Sequence, residues 1–186
     1  MEHTLTQPFR LAGRLLASAL CMFVLTSGIA TAQGPDPRDR VSWNLYRELV
    51  TLPYYGVFDH LAFEVGSGGV ITLSGAVRQP SLKNDAEARA KSVEGVEEVR
   101  NEIEVLPPSP QDDRIRLAAY RAIYRHDTLE RYALSAMPPI HIVVNKGAIT
   151  LEGIVDTAMD SQLAESQARG VPGTFGVTNN LKVEKR

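Results

Sequence analysis

Downstream of residue 32, acid–base or metal chemistry would fall to three histidines, His60, His126 and His141. His60 and His141 open equivalent strands of two different repeats, offset by 81 residues, and neither a cysteine nor a close His-x-x-x-His pair accompanies them. A zinc site takes four protein ligands, or three and a water. The ligand count therefore predicts no metal, and nothing in the sequence calls for a cofactor. No glycine-rich phosphate loop, nucleophile elbow or carboxylate pair offers another chemistry. Glu87 and Glu165 recur at equivalent positions, which ordinary helix surface charge explains. These residues predict a protein that binds and does not catalyse.

The best candidate for binding is segment 113–126. In a helix, Arg114, Leu117, Arg121 and Arg125 share one face at spacings of 3, 4 and 4. Arg116, Tyr120 and Tyr124 form the adjacent stripe. Each basic residue near an anionic membrane surface contributes about 1 kcal/mol, and tyrosine joins an apolar body to a polar tip. The pattern suits an anionic phospholipid surface. A solvated helix face with tyrosines packed at a domain edge is the plainer reading of the same residues. The first repeat offers only Arg40 and Arg47, with Trp43 and Tyr46. The loop Tyr54-Tyr55-Gly56-Val57-Phe58 is unusually aromatic; the favoured reading has Phe58 and one tyrosine cap the sheet core, with contact to the second domain as the alternative.

The elements that must position these residues follow from a phrase that occurs twice, GVITLSGAV at 69–77 and GAITLEGIV at 147–155. Ile, Thr and Val favour strands, and the alternation of Ile71 and Leu73 with Thr72 and Ser74 makes one face apolar. Gly69 and Gly147 predict tight turns needing positive φ. Gly75 and Gly153 interrupt the strand pattern and predict a bulge or a close backbone approach. At an offset of 78, residues 69–105 and 147–183 share 14 identities in 37 positions. Two copies are too few for a solenoid, so this is a tandem pair of small domains.

The periodicity predicts helix, strand, strand, helix, strand in 39–106, and the same order in 112–184. Leu106-Pro107-Pro108-Ser109-Pro110 carries the linker, 107–111, stiff because it is proline-rich. The fold class is α+β: two tandem αββαβ domains, each a small mixed three-stranded sheet with two helices on one face. The other sheet face is exposed or packed on the neighbour.

Residues 1–32 read as a secretory signal: Arg10 and Arg14, an uncharged apolar run at 15–29, and small residues at 30–32. Residues 33–38 read as a flexible arm. The only cysteine, Cys21, falls in the signal, so no disulfide scaffold is expected in what remains. Residues 39–106 carry seven basic and eleven acidic side chains, about −4, and 112–186 carry ten and nine, +1. Neither half has the basic excess of a nucleic-acid binder.

The repeated phrase, the alanine-bearing helix after it, and the closing Val-x-Gly-x-x-x-Val-x-Asn pattern resemble the BON domain (bacterial OsmY and nodulation). The resemblance rests on Gly69, Gly75, Gly95 and Asn101 in one copy and Gly147, Gly153, Gly173 and Asn179 in the other, and it covers 39–106 and 112–184. It implies an αββαβ fold, no catalytic residues, and a bacterial periplasmic setting with a role in envelope integrity and stress. It also implies attachment to phospholipid membranes, with the second domain's first helix as the contact. A protein-interaction or chaperone-like module of an envelope complex is the alternative, using open strand edges.

Overall fold

The computed structural model describes residues 37–135 and 137–184. The expected signal, 1–32, lies outside the described residues. Helix α1 (Pro37–Val50) begins within the expected arm, so Pro37 and Arg38 are helical; proline suits a first helical turn because its missing N–H has no intrahelical partner there. Strand β1 (His60–Val65) turns through a short 3-10 segment (Ser67–Gly69) into β2 (Val70–Val77), and the two pair antiparallel. Helix α2 (Pro80–Lys91) leads to β3 (Glu98–Asn101) and β4 (Glu104–Val105), both parallel to β2.

The second half repeats this order. Helix α3 (Pro110–Tyr124) starts inside the expected linker, capped by the Ser109 hydroxyl, which accepts from the Asp112 N–H at 3.2 Å. Then come β5 (Ile140–Asn145), β6 (Ala148–Val155), α4 (Ala158–Arg169), β7 (Gly176–Asn179) and β8 (Lys182–Val183). The longer loop before β5 carries a 3-10 segment (Glu130–Leu134) that buries Tyr132. Each sheet thus has three strand positions, with β6 at the centre of the second: β5 antiparallel on one side, β7 and β8 parallel on the other.

In each half the helices cover one sheet face. Leu45, Leu49, Ile71, Leu73, Leu82, Ala86 and Ala90 form one core; Ile115, Ala119, Ile123, Ile142, Ile149, Leu151, Ala164 and Ala168 form the other. Small alanines at the α2 and α4 contacts let those helices lie close to the strands.

The third strand of each half is broken where a single expected strand ran on, and the repeated asparagine is the cause. The Asn101 Oδ1 accepts from the Ile103 N–H at 3.2 Å, while Nδ2 donates to Lys83 O at 2.9 Å and Glu87 Oε2 at 3.0 Å. Asn179 repeats the arrangement with the Leu181 N–H, Ser161 O and Glu165 Oε2, all at 3.2 Å. Glu87 and Glu165 are therefore not mere surface charge; each orients the asparagine that breaks its strand.

Gly75 and Gly153 are close-approach glycines. A Cβ on Gly153 would lie 1.9 Å from the Pro139 carbonyl oxygen, at φ +118°, and one on Gly75 would lie 2.2 Å from that of His60. Only glycine lets the incoming strand cross there.

Candidate functional site: a basic helix face and an interdomain groove

Helix α3 splits the expected lipid-contact residues into two groups. Arg114, Leu117, Arg121 and Arg125 are exposed together, Leu117 at 49%. Arg114 donates to Gln111 Oε1 at 3.1 Å. Neither Arg121 nor Arg125 pairs with a carboxylate among the described residues.

The adjacent stripe faces inward, contrary to its expected role. Arg116 is only 3% exposed; its guanidinium holds Asp113 at 2.7 Å and the Val144 carbonyl at 2.6 Å. Tyr124 is 2% exposed; its hydroxyl donates to the Ile140 carbonyl at 2.6 Å and accepts from the Ile140 N–H at 3.1 Å. Burial pushes its phenol well above the usual range. Tyr120 packs on Tyr124, ring centroids 4.9 Å apart, and meets Phe58 of the first half edge-on at 6.0 Å. Arg116 and Tyr124 are buried and withdrawn from any headgroup, while the half-buried Tyr120 packs against the second core and the first half. The physical reason is registry: α3 sits over β5, so the stripe one residue around from the exposed face meets the strand.

The aromatic loop joins the two halves. Tyr55 packs on its own core, but Val57 and Phe58 pack on the core of the second half. The Val57 carbonyl accepts from the Ile142 N–H at 2.7 Å, covering the outer edge of β5. The Arg78 guanidinium lies over the Phe58 ring at 5.3 Å. The reading of Phe58 as a cap on its own sheet is thus corrected to a cap across the interface.

The loop also brings together two histidines that the sequence places in separate domains. His141 stacks on Tyr55 at 5.4 Å and lies 5.9 Å from His60, ring to ring. His60 Nε2 is 3.8 Å from Glu152 Oε2. Burial lowers both imidazole pKa values, and it pushes the Tyr55 phenol up to about 12. Beside the pair is a groove of about 430 Å³, walled by Leu49, Leu61 and Phe63 of the first half and Pro139 and Ile154 of the second. That volume lies within the range of small-molecule sites. Its rim presents one cation, Lys182, and one anion, Glu152, so its charges favour no sign of ligand. The only sequence signal for this region was the density of aromatics at 54–58.

Other buried charges have local tasks. Asp112 accepts from the Lys146 and Gly147 N–H groups at 3.0 and 2.8 Å and holds the β5–β6 turn. Asp160 receives Arg131 at 2.6 Å, the Tyr132 hydroxyl at 3.0 Å and the Thr157 hydroxyl at 2.7 Å. Among the described residues no group of three or more His, Cys, Asp or Glu side chains is placed to hold a metal ion.

This chain is similar to proteins already known. Osmotically-inducible protein Y of Escherichia coli (strain K12) is 31% identical over 118 residues, which are 62% of this chain and 58% of that relative. The chain therefore matches somewhat over half of the relative's length. Among solved structures, similarity extends to CdsD, a structural protein of the type III secretion system of Chlamydia trachomatis. It shows 11% identity and a TM-score of 0.31, over 77% of this chain and 92% of that one. The BON domain family matches residues 60–107 and 125–185, one stretch in each half and together more than half of the sequence. By that double match, and by the tandem αββαβ fold that accompanies it, the chain belongs to the BON domain family.

Proposed function

We propose that this protein is a non-catalytic binding protein of the bacterial envelope, exported to the periplasm, that attaches peripherally to anionic phospholipid through α3. One observation carries the reading: Arg114, Arg121 and Arg125 flank Leu117 on an exposed face, and none of the three has a carboxylate partner among the described residues. At about 1 kcal/mol per basic residue near an anionic surface, three contribute about 3 kcal/mol. That is roughly a hundredfold in binding, enough for reversible attachment but not for anchoring. No described helix is long and apolar enough to cross a membrane. The relative's name places that protein under osmotic induction, and a role in osmotic or envelope stress is the matching proposal here.

Co-sedimentation of the purified chain with anionic and zwitterionic vesicles tests this at low and moderate salt. Binding to anionic vesicles alone, weakened by salt and lost in Arg121→Glu/Arg125→Glu with an unchanged circular dichroism spectrum, is the expected result. Equal binding by the double variant rejects the α3 face.

A protein-binding role is the second reading. Strands β3 and β7 each pair on one side only among the described residues, and an open edge can accept a partner strand. Such binding would survive both the charge reversal and moderate salt.

A further inference from the structure

We propose that docking of the two αββαβ halves is a pH-gated latch, in which protonation of the His60–His141 pair releases the loop bearing Val57 and Phe58 from the edge of β5. The inference stands apart from the lipid reading.

The geometry makes the charged rings poor guests. His141 is 8% exposed and wedged between Tyr55 and His60. The Nδ1 atoms of both histidines are buried without a hydrogen-bond partner. An imidazolium carries hydrogen on both nitrogens, so protonation gives His60 a buried Nδ1–H that no acceptor meets, whereas on His141 the backbone carbonyls of Asp59 and Gly56 favour the charged ring and burial outweighs them. Two such cations would stand 5.9 Å apart, ring to ring.

The surrounding charges divide. On His60, from β6 the Glu152 carboxylate favours protonation, while His141 from β5 and Lys182 from β8 oppose it. On His141, the backbone carbonyls of Asp59 and Gly56 favour protonation first, and the Asp59 and Glu152 carboxylates add to them. The Asp59 Oδ1 accepts from the Arg78 backbone N–H at 2.8 Å and lies 3.8 Å from its Nε, while Oδ2 is buried without a hydrogen-bond partner. Tyr55, with its raised pKa, stays neutral throughout. Burial is the largest influence on each ring, and both pKa values fall below the free value.

The sign follows. Docking is at full strength above the free histidine value of about 6.5 and weakens as pH falls from there toward the lowered docked values. Within that window each histidine shifts the docked-to-released ratio up to about tenfold per pH unit. The contacts at stake are the Ile142 N–H to Val57 carbonyl, Phe58 on Tyr120, Tyr55 on His141, and Asn145 Nδ2 donating to Glu104 Oε1 at 3.1 Å. Release would uncover the β5 edge and take one wall from the groove.

The Ile142 amide reports the latch directly, because its acceptor belongs to the other half. Its hydrogen-exchange protection, corrected for intrinsic rate, would be followed by NMR from pH 7.5 to 5.0 in the purified chain. The Leu151 amide, inside the central strand β6, is the internal control. We expect Ile142 protection to fall about tenfold or more over that range while Leu151 holds, and to become pH-independent in His60→Gln/His141→Gln. Constant Ile142 protection in the wild type, or an equal fall in the double variant, overturns the latch. If the double variant is already unprotected at pH 7.5, Glu152→Gln decides. Removing the carboxylate beside His60 must move the wild-type transition to higher pH, and an unmoved transition overturns the proposal.

Discussion

Replacing Asn179 by alanine tests whether the repeated asparagine is the structural hinge of each half. Its amide donates to Ser161 and Glu165, and its carbonyl oxygen accepts from the Leu181 N–H. The Glu165 bond reaches a half-exposed carboxylate and is left out of the sum. The bond to Ser161 and the bond from Leu181 remain, each contributing about 0.5–1.5 kcal/mol net. Asn179→Ala should therefore lose about 1–3 kcal/mol. A unit this small has a urea m-value of about 1 kcal/mol/M, so the midpoint followed by far-UV circular dichroism should drop by about 1–3 M. Asn101→Ala should behave alike, because its contacts are the same in kind. Asn179→Asp keeps the acceptor but sets a second carboxylate against Glu165. It should be worse than alanine at pH 7 and recover in part on acidification. Midpoint changes under about 0.5 M in both alanine variants would refute the hinge.

Tyr124→Phe removes the hydroxyl that serves both the N–H and the carbonyl of Ile140. It should cost about 1–3 kcal/mol in chemical denaturation and leave vesicle binding unchanged; weakened vesicle binding in a folded variant would restore Tyr124 to the interface. Gly153→Ala forces a Cβ against the Pro139 carbonyl at positive φ. A loss of at least about 1–3 kcal/mol in the thermal or urea transition is expected, and a neutral result would show that the strand crossing can relax. Glu165 has its carboxyl pKa lowered, first by Arg169 and then by Asn179. A lowered folded-state pKa contributes stability above the ordinary value of about 4.3 that is lost as pH falls, so Glu165→Gln should flatten the acid limb of the stability profile.

Much of this protein is local, and local features are legible in a sequence. Two-residue alternation in the repeated phrase, helical spacing around Ala86 and Ala164, and glycines at the turns specify αββαβ twice. Each depends on neighbours only a few residues away. Gly75 and Gly153 announced a close approach because no side chain fits where the incoming strand crosses. The exposed face of α3 was legible for the same reason: spacings of 3, 4 and 4 place Arg114, Leu117, Arg121 and Arg125 together whatever the helix packs on.

Tertiary structure decided the rest. Which stripe of α3 turns inward depends on where β5 lies beneath it, and that placed Arg116 and Tyr124 in the core. The strand breaks and the tasks of Glu87 and Glu165 depend on a side chain bridging helix and strand across 14 residues. The destination of Phe58 and the meeting of His60 with His141 depend on how one half seats on the other. No periodicity within either half encodes that seating, because it is a contact between surfaces that each half leaves uncovered.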